Sequence, residues 1–296
     1  MNEYKVAVIG AGNWGKNILK TVNNLYTVKT VGYNGSEETK RFLKQYYPDA
    51  HIDTDVKAIA SDPLIDAVFI ATPIGTHAEL TKLFLEHGKH VFVEKPLSTK
   101  TSEIESLYTL AEKENKILQT GYVYFYDKAF QLLQKEVLEE NDLELSLRWE
   151  KWGTFGTPIQ TNLLVHELAL ACKLLGDVIE VTNLKTAEDA ITLKTIHARG
   201  NASYYIDRQK KERQKSISLC TSTGTSYVIT SGVLTREIAG KNICIADFSS
   251  QEILVNECKA FQAALQSLHA DNTHSKLIDL QVAQILQKIS SIDGSL

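Results

Sequence analysis

The sequence predicts a fold of class α/β plus α+β, in which a doubly wound parallel sheet is followed by an open-faced, mostly antiparallel sheet with helices on one face. Three observations support this prediction. The chain has 296 residues, which is more than a single hydrophobic core usually serves. Strand and helix signals alternate up to about residue 120. Beyond it, apolar and polar residues alternate in short runs, as in antiparallel strands with one covered face.

The first part of the chain is a series of short apolar runs separated by amphipathic segments, which is the pattern of a parallel sheet with crossover helices. The predicted strands are 5–9, 28–33, 67–71, 90–93 and 117–120, and the predicted helices are 14–24, 36–46, 77–87 and 102–114. Because parallel strands end at a common edge of the sheet, we expect ligands to bind at that edge.

The second part contains period-two runs and four helical stretches. The predicted strands are 144–149, 191–194, 203–206, 217–220 and 233–236, and the predicted helices lie near 128–139, 166–175, 251–268 and 275–291. The sequence shows neither an internal repeat nor a long linker between the two parts. We therefore predict two consecutive domains, 1–120 and 121–296.

A glycine-rich motif follows the first predicted strand directly, in the order G-x-G-x-x-G. Gly10 permits a tight turn, Gly12 lets the backbone approach a pyrophosphate, and Gly15 allows the next helix to pack on the strand. The N-terminal N–H groups of that helix would face the anion. The motif therefore predicts a Rossmann domain that binds a dinucleotide, with contacts from Gly10, Gly12, Asn13, Trp14 and Gly15.

The end of the second strand bears on the choice between NAD and NADP. Asn34 stands nineteen residues after Gly15, where NAD-specific enzymes usually carry an acidic residue that binds the ribose hydroxyls. Asn34 and Ser36 can hydrogen-bond either a ribose or a 2′-phosphate, and Lys40 or Arg41 can supply positive charge. An Asn-Gly pair is equally typical of a simple turn. Both cofactors therefore stay possible.

Two further strand ends carry candidate residues. Thr72 and Pro73 follow the third strand, where the proline fixes a loop that can pass beside the nicotinamide half of a cofactor. His77 is expected to cap or pack against the next helix. Glu94 and Lys95 end the fourth strand, and an ammonium in a partly dry cleft can act as a general acid or base. On local sequence alone, an exposed lysine beside a turn proline is the commoner situation.

Asn162 and His166 form a candidate pair in the second part. Their spacing of four places both side chains on one helix face, and Gly176 is expected to end that helix. His166 can polarise a hydroxyl or carbonyl group, whereas Asn162 can hydrogen-bond but cannot take a proton. A lone histidine at a helix start often has only a structural role.

Two other patterns favour structural interpretations. The basic run 208–215 lies between two predicted strands and is expected to be a solvated hairpin end, with phosphate binding as the alternative. Tyr122, Tyr124 and Tyr126 alternate, which predicts an aromatic strand face that packs in a core or cleft.

Composition and charge exclude several classes of protein. The net charge of -4 argues against a general nucleic-acid binder, which needs a basic surface. The four cysteines form no Cys-x-x-Cys pair, so neither a metal site nor a disulfide framework is predicted. No apolar run reaches the length of a membrane span or signal peptide. We therefore expect a cytoplasmic protein that contacts neither membrane nor nucleic acid.

Taken together, these motifs resemble the family of glucose-fructose oxidoreductase and inositol dehydrogenase (Gfo/Idh/MocA) through nearly the whole chain. The stretches 12–17, 88–98 and 121–127 are similar to its branch that acts on nucleotide-linked sugars. The resemblance implies a Rossmann domain followed by an open-faced sheet domain that binds substrate and forms oligomers. It also places the family's catalytic lysine on Lys95 and its Asp-x-x-x-His helix on 162–166, with Asn162 replacing the aspartate.

The resemblance implies an NAD(P)-dependent oxidoreductase that acts on a secondary alcohol or ketone of a sugar, and we expect this sugar to be linked to a nucleotide. Its catalytic residues would be Lys95, His166 and Asn162. A catalytically weak binding or regulatory protein on the same fold is the alternative, because Asn162 cannot act as a base. Family members commonly pair through the open sheet, which implies a homodimer or a tetramer.

Overall fold

The computed structural model describes residues 4–153, 156–238, 240–267 and 270–293. They form two compact units. The first unit comprises the chain up to Gly121 together with Leu254–Asp279, and the second comprises Tyr122–Ile253 together with the chain from Leu280 onwards. This division differs from the predicted bounds 1–120 and 121–296 because the segment Leu254–Asp279 is grouped with the first unit. The functional domain bounds stay a prediction.

The first unit is built on a parallel sheet of six strands in the order β3-β2-β1-β4-β5-β6. The elements in chain order are β1 (Lys5–Ile9), α1 (Asn13–Leu25), β2 (Thr27–Gly32), α2 (Glu37–Tyr46), β3 (His51–Asp53), α3 (Val56–Ser61), β4 (Ala67–Ile70), α4 (His77–Glu86), β5 (His90–Glu94), α5 (Thr101–Lys113) and β6 (Leu118–Gly121). The strand order reverses at β1, which is the doubly wound arrangement predicted from the sequence. The central strands are fully buried because they are apolar on both faces.

The second unit is built on a sheet of eight strands in the order β14-β13-β12-β11-β7-β10-β9-β8. Its elements are α6 (Lys128–Glu136), β7 (Leu143–Glu150), α7 (Val165–Leu175), β8 (Val178–Ala187), β9 (Ala190–His197), β10 (Gly200–Asp207), β11 (Gln214–Cys220), β12 (Ser226–Thr230), β13 (Val233–Ile238) and β14 (Lys241–Asp247). Neighbouring strands are antiparallel except for β7 and β10. The predicted fold class is thereby confirmed.

Two helices close the described chain, α8 (Ile253–Leu265) and α9 (Thr273–Asp293). In the first unit, α8 packs on the parallel sheet through Phe261, whose ring centroid lies 5.3 Å from that of Phe69 and 5.7 Å from that of Phe92. The hydroxyl of Tyr26 donates to the carbonyl of Cys258 on the same helix, at 2.7 Å. The helix is thus fixed over β4 and β5 by aromatic packing and by a buried hydrogen bond.

Several elements escaped sequence prediction for a common reason. The strands β3, β8 and β14 and the helix α3 are short or largely exposed, so they lack a regular apolar face. The strand β12 was also missed. The alternating tyrosines do not form a strand face, because residues Val123–Tyr126 form a 3₁₀ turn. The predicted helix end at Leu268 lies outside the described residues.

No helix in the described part of the chain has both the length and the apolar composition that a bilayer crossing requires.

Candidate active site

The glycine-rich loop of the first unit has the geometry that a dinucleotide requires. Gly10 has a φ of +97°, and a Cβ added there would lie 2.5 Å from the carbonyl oxygen of Ala71. A Cβ on Gly15 would clash with the carbonyl oxygen of Gly10, so this glycine keeps α1 close to the strand. A Cβ on Gly12 would meet nothing within 4 Å. The backbone at Gly12 therefore faces open space, where a pyrophosphate can approach it.

The N-terminus of α1 adds to this fit. Its N-cap residue is Gly12, and no side chain accepts a hydrogen bond from the first turn. The first N–H groups of the helix are therefore left for a ligand, and the helix dipole favours an anion there. Asn13 is exposed in the same turn. The residues present fit the pyrophosphate of a dinucleotide cofactor.

Trp14, the next residue of the motif, is joined to the end of β5. Its Nε1 donates to Oε1 of Glu94 at 2.6 Å. Glu94 is 7% exposed, and burial raises the pKa of its carboxyl group, whereas the Trp14 bond and the charge of Lys95 act in the opposite direction. The glycine-rich loop and the strand that carries Lys95 are thus tied together.

The end of β2 leaves the choice between NAD and NADP open. Asn34 and Ser36 are both exposed. The Ser36 hydroxyl caps α2 by accepting from the backbone N–H of Thr39 at 3.2 Å. Lys40 lies 2.7 Å from a carboxylate oxygen of Glu37. Ser36 and Lys40, two of the possible phosphate ligands, thus already have local partners, and neither contact excludes a ribose or a phosphate.

His77 links the two loops that follow β4 and β5. Its Nδ1 lies 2.9 Å from the carbonyl oxygen of Pro96 and its Nε2 lies 2.8 Å from that of Thr72. Burial lowers the pKa of the ring, against the effect of these two contacts. His77 therefore fixes the loops at Thr72-Pro73 and Lys95-Pro96, and both of its ring nitrogens face the backbone.

Lys95 stands at the carboxyl edge of the parallel sheet, where β5 ends. The peptide bond between Lys95 and Pro96 is cis. Lys95 is half-buried, between the buried Glu94 and the buried Pro96. The structure therefore places the predicted acid-base residue at the edge where ligands bind to folds of this type.

In the second unit, Asn162 and His166 lie on a continuous helical segment. Asn162 belongs to a π-helical stretch, Gln160–Leu164, that runs into α7, and its amide nitrogen donates to the hydroxyl of Thr157. The π-helical turn was not predicted, and such turns often occur at functional sites. Gly176 ends α7 with a φ of +77°, as predicted.

Two aromatic rings contact the ring of His166. The ring of Tyr124 meets it edge-on at a centroid distance of 5.2 Å, and that of Trp149 lies at 5.5 Å. The same two rings hold a lysine, because Nζ of Lys215 lies 4.0 Å from the Tyr124 centroid and 3.9 Å from that of Trp149. Lys215 also forms an ion pair with Glu167, whose side chain is fully buried.

Lys215 is the main site residue that sequence reasoning missed. Its side chain is only 15% exposed. Burial lowers its pKa well below the usual range, while the charge of Asp127 acts in the opposite direction. A charged residue at the covered position of a period-two strand is the signal that could have identified it, since lysine is rarely buried without a partner.

The expectation that the basic run 208–215 is a solvated hairpin end is wrong at both ends of the run. Arg208 is 3% exposed and forms an ion pair with Asp189 at 3.0 Å. It also donates to the carbonyl oxygen of Thr157, the residue that binds Asn162. Lys215 is buried against α7. Only the middle of the run is exposed.

A cavity of about 540 Å³ lies in the second unit next to this cluster. Tyr124 and Lys215 form part of its wall, together with Asp127, Arg213 and Gln251. The remaining lining residues are Phe130, Ser216, Ile217, Ile229, Ser231, Gly232, Phe248, Ser249 and Ile253. The cavity therefore combines apolar surface with a few charged and amide groups, as small-molecule sites usually do.

The predicted site residues thus fall into two groups. Trp14, Glu94, Thr72, His77 and Lys95 are joined by direct contacts or by chain neighbourhood in the first unit. Asn162 and His166 share one helical segment of the second unit. Among the residues that the structure describes, no group of three or more metal-binding side chains converges.

Comparisons with known proteins agree with this geometry. Residues 4–122 match the family model Gfo/Idh/MocA, described as an oxidoreductase family with an NAD-binding Rossmann fold. A curated relative, scyllo-inositol 2-dehydrogenase (NADP(+)) from Bacillus subtilis, is 32% identical over 143 residues. The match covers 47% of this chain and 38% of the relative. The chain thus matches less than half of the length of this relative.

Solved structures extend the likeness over both units. UDP-N-acetylglucosamine 3-dehydrogenase from Acidithiobacillus ferrooxidans has a TM-score of 0.84 at 19% identity, with 96% of this chain and 97% of that chain covered. A 3-ketoreductase variant from Actinomadura kijaniata, in complex with TDP-benzene and NADP, has a TM-score of 0.83 at 16% identity, with 98% of each chain covered. At these identities the likeness shows the fold. The cofactor prediction of NAD or NADP is confirmed by the family description.

Proposed function

Because residues 4–122 match the model of an oxidoreductase family with an NAD-binding Rossmann fold, we propose that the chain transfers a hydride between NAD or NADP and a sugar. The reacting group is a secondary alcohol or a ketone. The observation that carries this proposal is the position of Lys95 at the ligand edge of the parallel sheet, in a loop that His77 fixes. Relatives named as inositol dehydrogenases support the substrate class.

Lys95 is the proposed proton donor and acceptor. In the oxidation direction, the substrate carbon loses a hydride and its hydroxyl loses a proton, so that the alcohol becomes a ketone. NAD or NADP supplies the hydride acceptor when bound. A neutral Lys95 amine takes the hydroxyl proton, and the resulting ammonium returns it in the reverse reaction. In the second unit, His166 holds the reacting oxygen and Asn162 orients the substrate.

We further propose that the sugar is linked to a nucleotide. The cavity of about 540 Å³ exceeds the needs of a single sugar ring, and Arg213 on its wall can attract phosphate oxygens. Calorimetric titration with UDP, dTDP and myo-inositol tests this step. The proposal of a nucleotide-linked sugar is supported if UDP or dTDP binds and Arg213→Gln weakens that binding. It is contradicted if myo-inositol binds and neither nucleoside diphosphate does.

Replacing Lys95 with methionine tests the catalytic assignment. The variant keeps the length of the side chain but loses the proton-carrying group, so we expect turnover of a substrate found by screening to fall by about two to four orders of magnitude. Lys100→Met is the matched control, because Lys100 is exposed five residues further on. Unchanged turnover in Lys95→Met with normal cofactor binding would show that the assignment is wrong.

Asn162 favours a second candidate function, a binding or regulatory protein with weak catalysis. Its amide binds Thr157 and it cannot accept a proton from substrate. Asn162→Asp restores the carboxylate of the family pattern and separates the two candidates. A large gain in turnover would indicate a decayed site, and unchanged or lower turnover would indicate an enzyme that works without the carboxylate.

We also propose that the protein is a cytoplasmic homodimer or tetramer that pairs through the sheet of the second unit. Ile179, Ile196, Val228 and Ile243 on its strands are exposed. Exposed apolar groups spread over one sheet favour an interface. Light scattering at micromolar concentration tests this, and the mass of a single chain would contradict it.

A further inference from the structure

Two buried glutamates of the first unit, Glu94 and Glu257, interact electrostatically. Glu94 ends β5 and is 7% exposed, and Glu257 lies on α8 with no exposure at all. Neither carboxyl oxygen of Glu257 has a hydrogen-bond partner among the described residues. A buried acidic group without partners is costly, so this one calls for an explanation.

The packing of α8 places Glu257 close to Glu94. The ring of Phe261 meets that of Phe92 of β5 edge-on, and Glu257 precedes Phe261 by four residues, about one helical turn or roughly 6 Å. Glu94 follows Phe92 by two residues on the same face of the strand, about 6 to 7 Å. The hydroxyl of Tyr4, which precedes β1, donates to the carbonyl of Leu265 at 2.9 Å, so the C-terminal end of α8 lies at the amino edge of the parallel sheet. Both steps therefore lead towards the carboxyl end of β5. The charge of Glu94 accordingly acts on Glu257.

The surroundings of the two carboxyl groups determine which of them loses its proton first. Glu94 accepts the Trp14 indole N–H at 2.6 Å and borders Lys95, so its charged form is partly supported. Gly121 on β6 keeps space for it, because a Cβ there would lie 3.3 Å from Oε1 of Glu94. Glu257 has no such support, and burial together with the charge of Glu94 raises its pKa well above the usual range. Glu94 therefore ionises first and Glu257 follows at higher pH.

The other titratable groups coupled to this pair are few in the described part of the chain. Lys95 adjoins Glu94, and the thiol of Cys258 adjoins Glu257 on α8. Burial raises the pKa of the Cys258 thiol far above neutral pH, so it stays uncharged. Changes of charge within this pair therefore come from the two glutamates themselves.

We propose that Glu94 and Glu257 form a carboxyl pair that sets the preference of the first unit for the oxidised over the reduced cofactor. The inference rests on the cofactor part of the proposed function. The oxidised nicotinamide ring is a cation and the reduced ring is neutral, whereas the rest of the dinucleotide is identical. Negative charge between the glycine-rich loop and Lys95 therefore favours the oxidised form. That preference grows with pH as Glu257 ionises.

Calorimetric titration with NAD and NADH, and with NADP and NADPH, at several values between pH 6 and pH 9 measures the effect. The ratio of the two Kd values cancels every contribution that the redox forms share. We expect the preference of the wild type for the oxidised form to rise with pH, by about three- to thirtyfold once Glu257 is ionised, which is the effect of one charge roughly 8 to 25 Å away at an effective dielectric constant of about 20. In Glu257→Gln this rise is lost, whereas the ratio at pH 6 stays near that of the wild type.

Glu105→Gln is the matched control, because it removes a charge of the same kind from an exposed position on α5. Its ratios are expected to follow the wild type at every pH. A wild-type ratio that does not change with pH would overturn the proposal, even if Glu257→Gln failed to fold. A rise that persists in Glu257→Gln would overturn it as well. Absence of binding by all four dinucleotides would instead remove the proposed function, and this inference with it.

Discussion

Glu167 and Glu257 are both completely buried, one in the second unit and one in the first, yet their surroundings differ. Glu167 faces the ammonium of Lys215, which is held between the rings of Tyr124 and Trp149. Glu257 faces another carboxyl group, that of Glu94. Burial of an isolated carboxylate is too costly to persist, so each unit must avoid it.

The two units avoid it in different ways. In the second unit a cation offsets the charge, and the pair joins β11 to α7 beside His166. In the first unit the proton stays on Glu257, so the charge is absent until the pH rises. A paired carboxylate contributes mainly to fixing the positions of its neighbours. A carboxyl group that can gain or lose a proton responds instead to other charges, such as that of a cofactor.

The largest effect on stability is expected from breaking the ion pair between Lys215 and Glu167. Lys215→Met leaves Glu167 buried without a cation and removes both contacts with the aromatic rings. We expect the free energy of unfolding of the second unit to fall by about 3 to 5 kcal/mol. Urea denaturation followed by tryptophan fluorescence in a Trp14→Phe background measures this loss, because the two remaining indoles, Trp149 and Trp152, belong to the second unit.

The double variant Lys215→Met with Glu167→Leu sharpens this measurement. Replacing both partners by apolar groups removes the buried charge, so most of the lost stability should return. If the loss of stability in the double variant equalled the sum of the losses in the two single variants, the two residues would act independently and the ion pair would contribute no coupling energy.

Much of the fold of the first unit follows from its sequence. Its central strands are apolar on both faces and its helices have a clear apolar stripe, so 5–9, 67–71 and 90–93 were placed within one residue of the observed strands. The second unit was harder to predict, because β8 and β14 are exposed along much of their length. Without a covered face, a strand carries no period-two signal.

The candidate site shows the same limit. The glycine motif is local, so the roles of Gly10, Gly12 and Gly15 could be derived from spacing alone. The residue whose charge acts on Glu257 and the residue that pairs with Lys215 both come from segments far away in the chain, and no local pattern indicates which residues these are. Lys215 also belongs to a run of charges that is mostly exposed, and only tertiary packing shows that its own side chain is buried.

A smaller effect on stability is expected from replacing Glu257. Burial holds the pKa of Glu257 above its unfolded value of 4.5, so the folded protein binds this proton more tightly than the unfolded chain does. The stability from this group is complete below about pH 4.5 and is lost as the pH rises through the folded pKa. Glu257→Gln lacks this dependence. The variant should therefore match the wild type near pH 5 and exceed its stability at pH 8.

Denaturation of wild type and Glu257→Gln at pH 5, 6.5 and 8 measures this difference. Each unit by which the folded pKa is raised corresponds to about 1.4 kcal/mol at the alkaline end. Glu105→Gln again provides the exposed control and should show no comparable trend. A wild type that stays as stable as Glu257→Gln at pH 8 would show that the carboxyl group is accommodated in its charged form.

The smallest effect on stability is expected from breaking a solvent-exposed ion pair. Lys82 and Glu86 lie 3.8 Å apart one turn along α4, with side chains that are 63% and 48% exposed. The lysine precedes the glutamate, which is the weaker order along a helix because each charge meets the unfavourable end of the dipole. We expect Lys82→Ala to change the free energy of unfolding by no more than about 0.5 kcal/mol. Denaturation at low and high salt checks this. A loss as large as that of Lys215→Met would mean that burial does not separate the two kinds of ion pair, and the comparison between the units would fail.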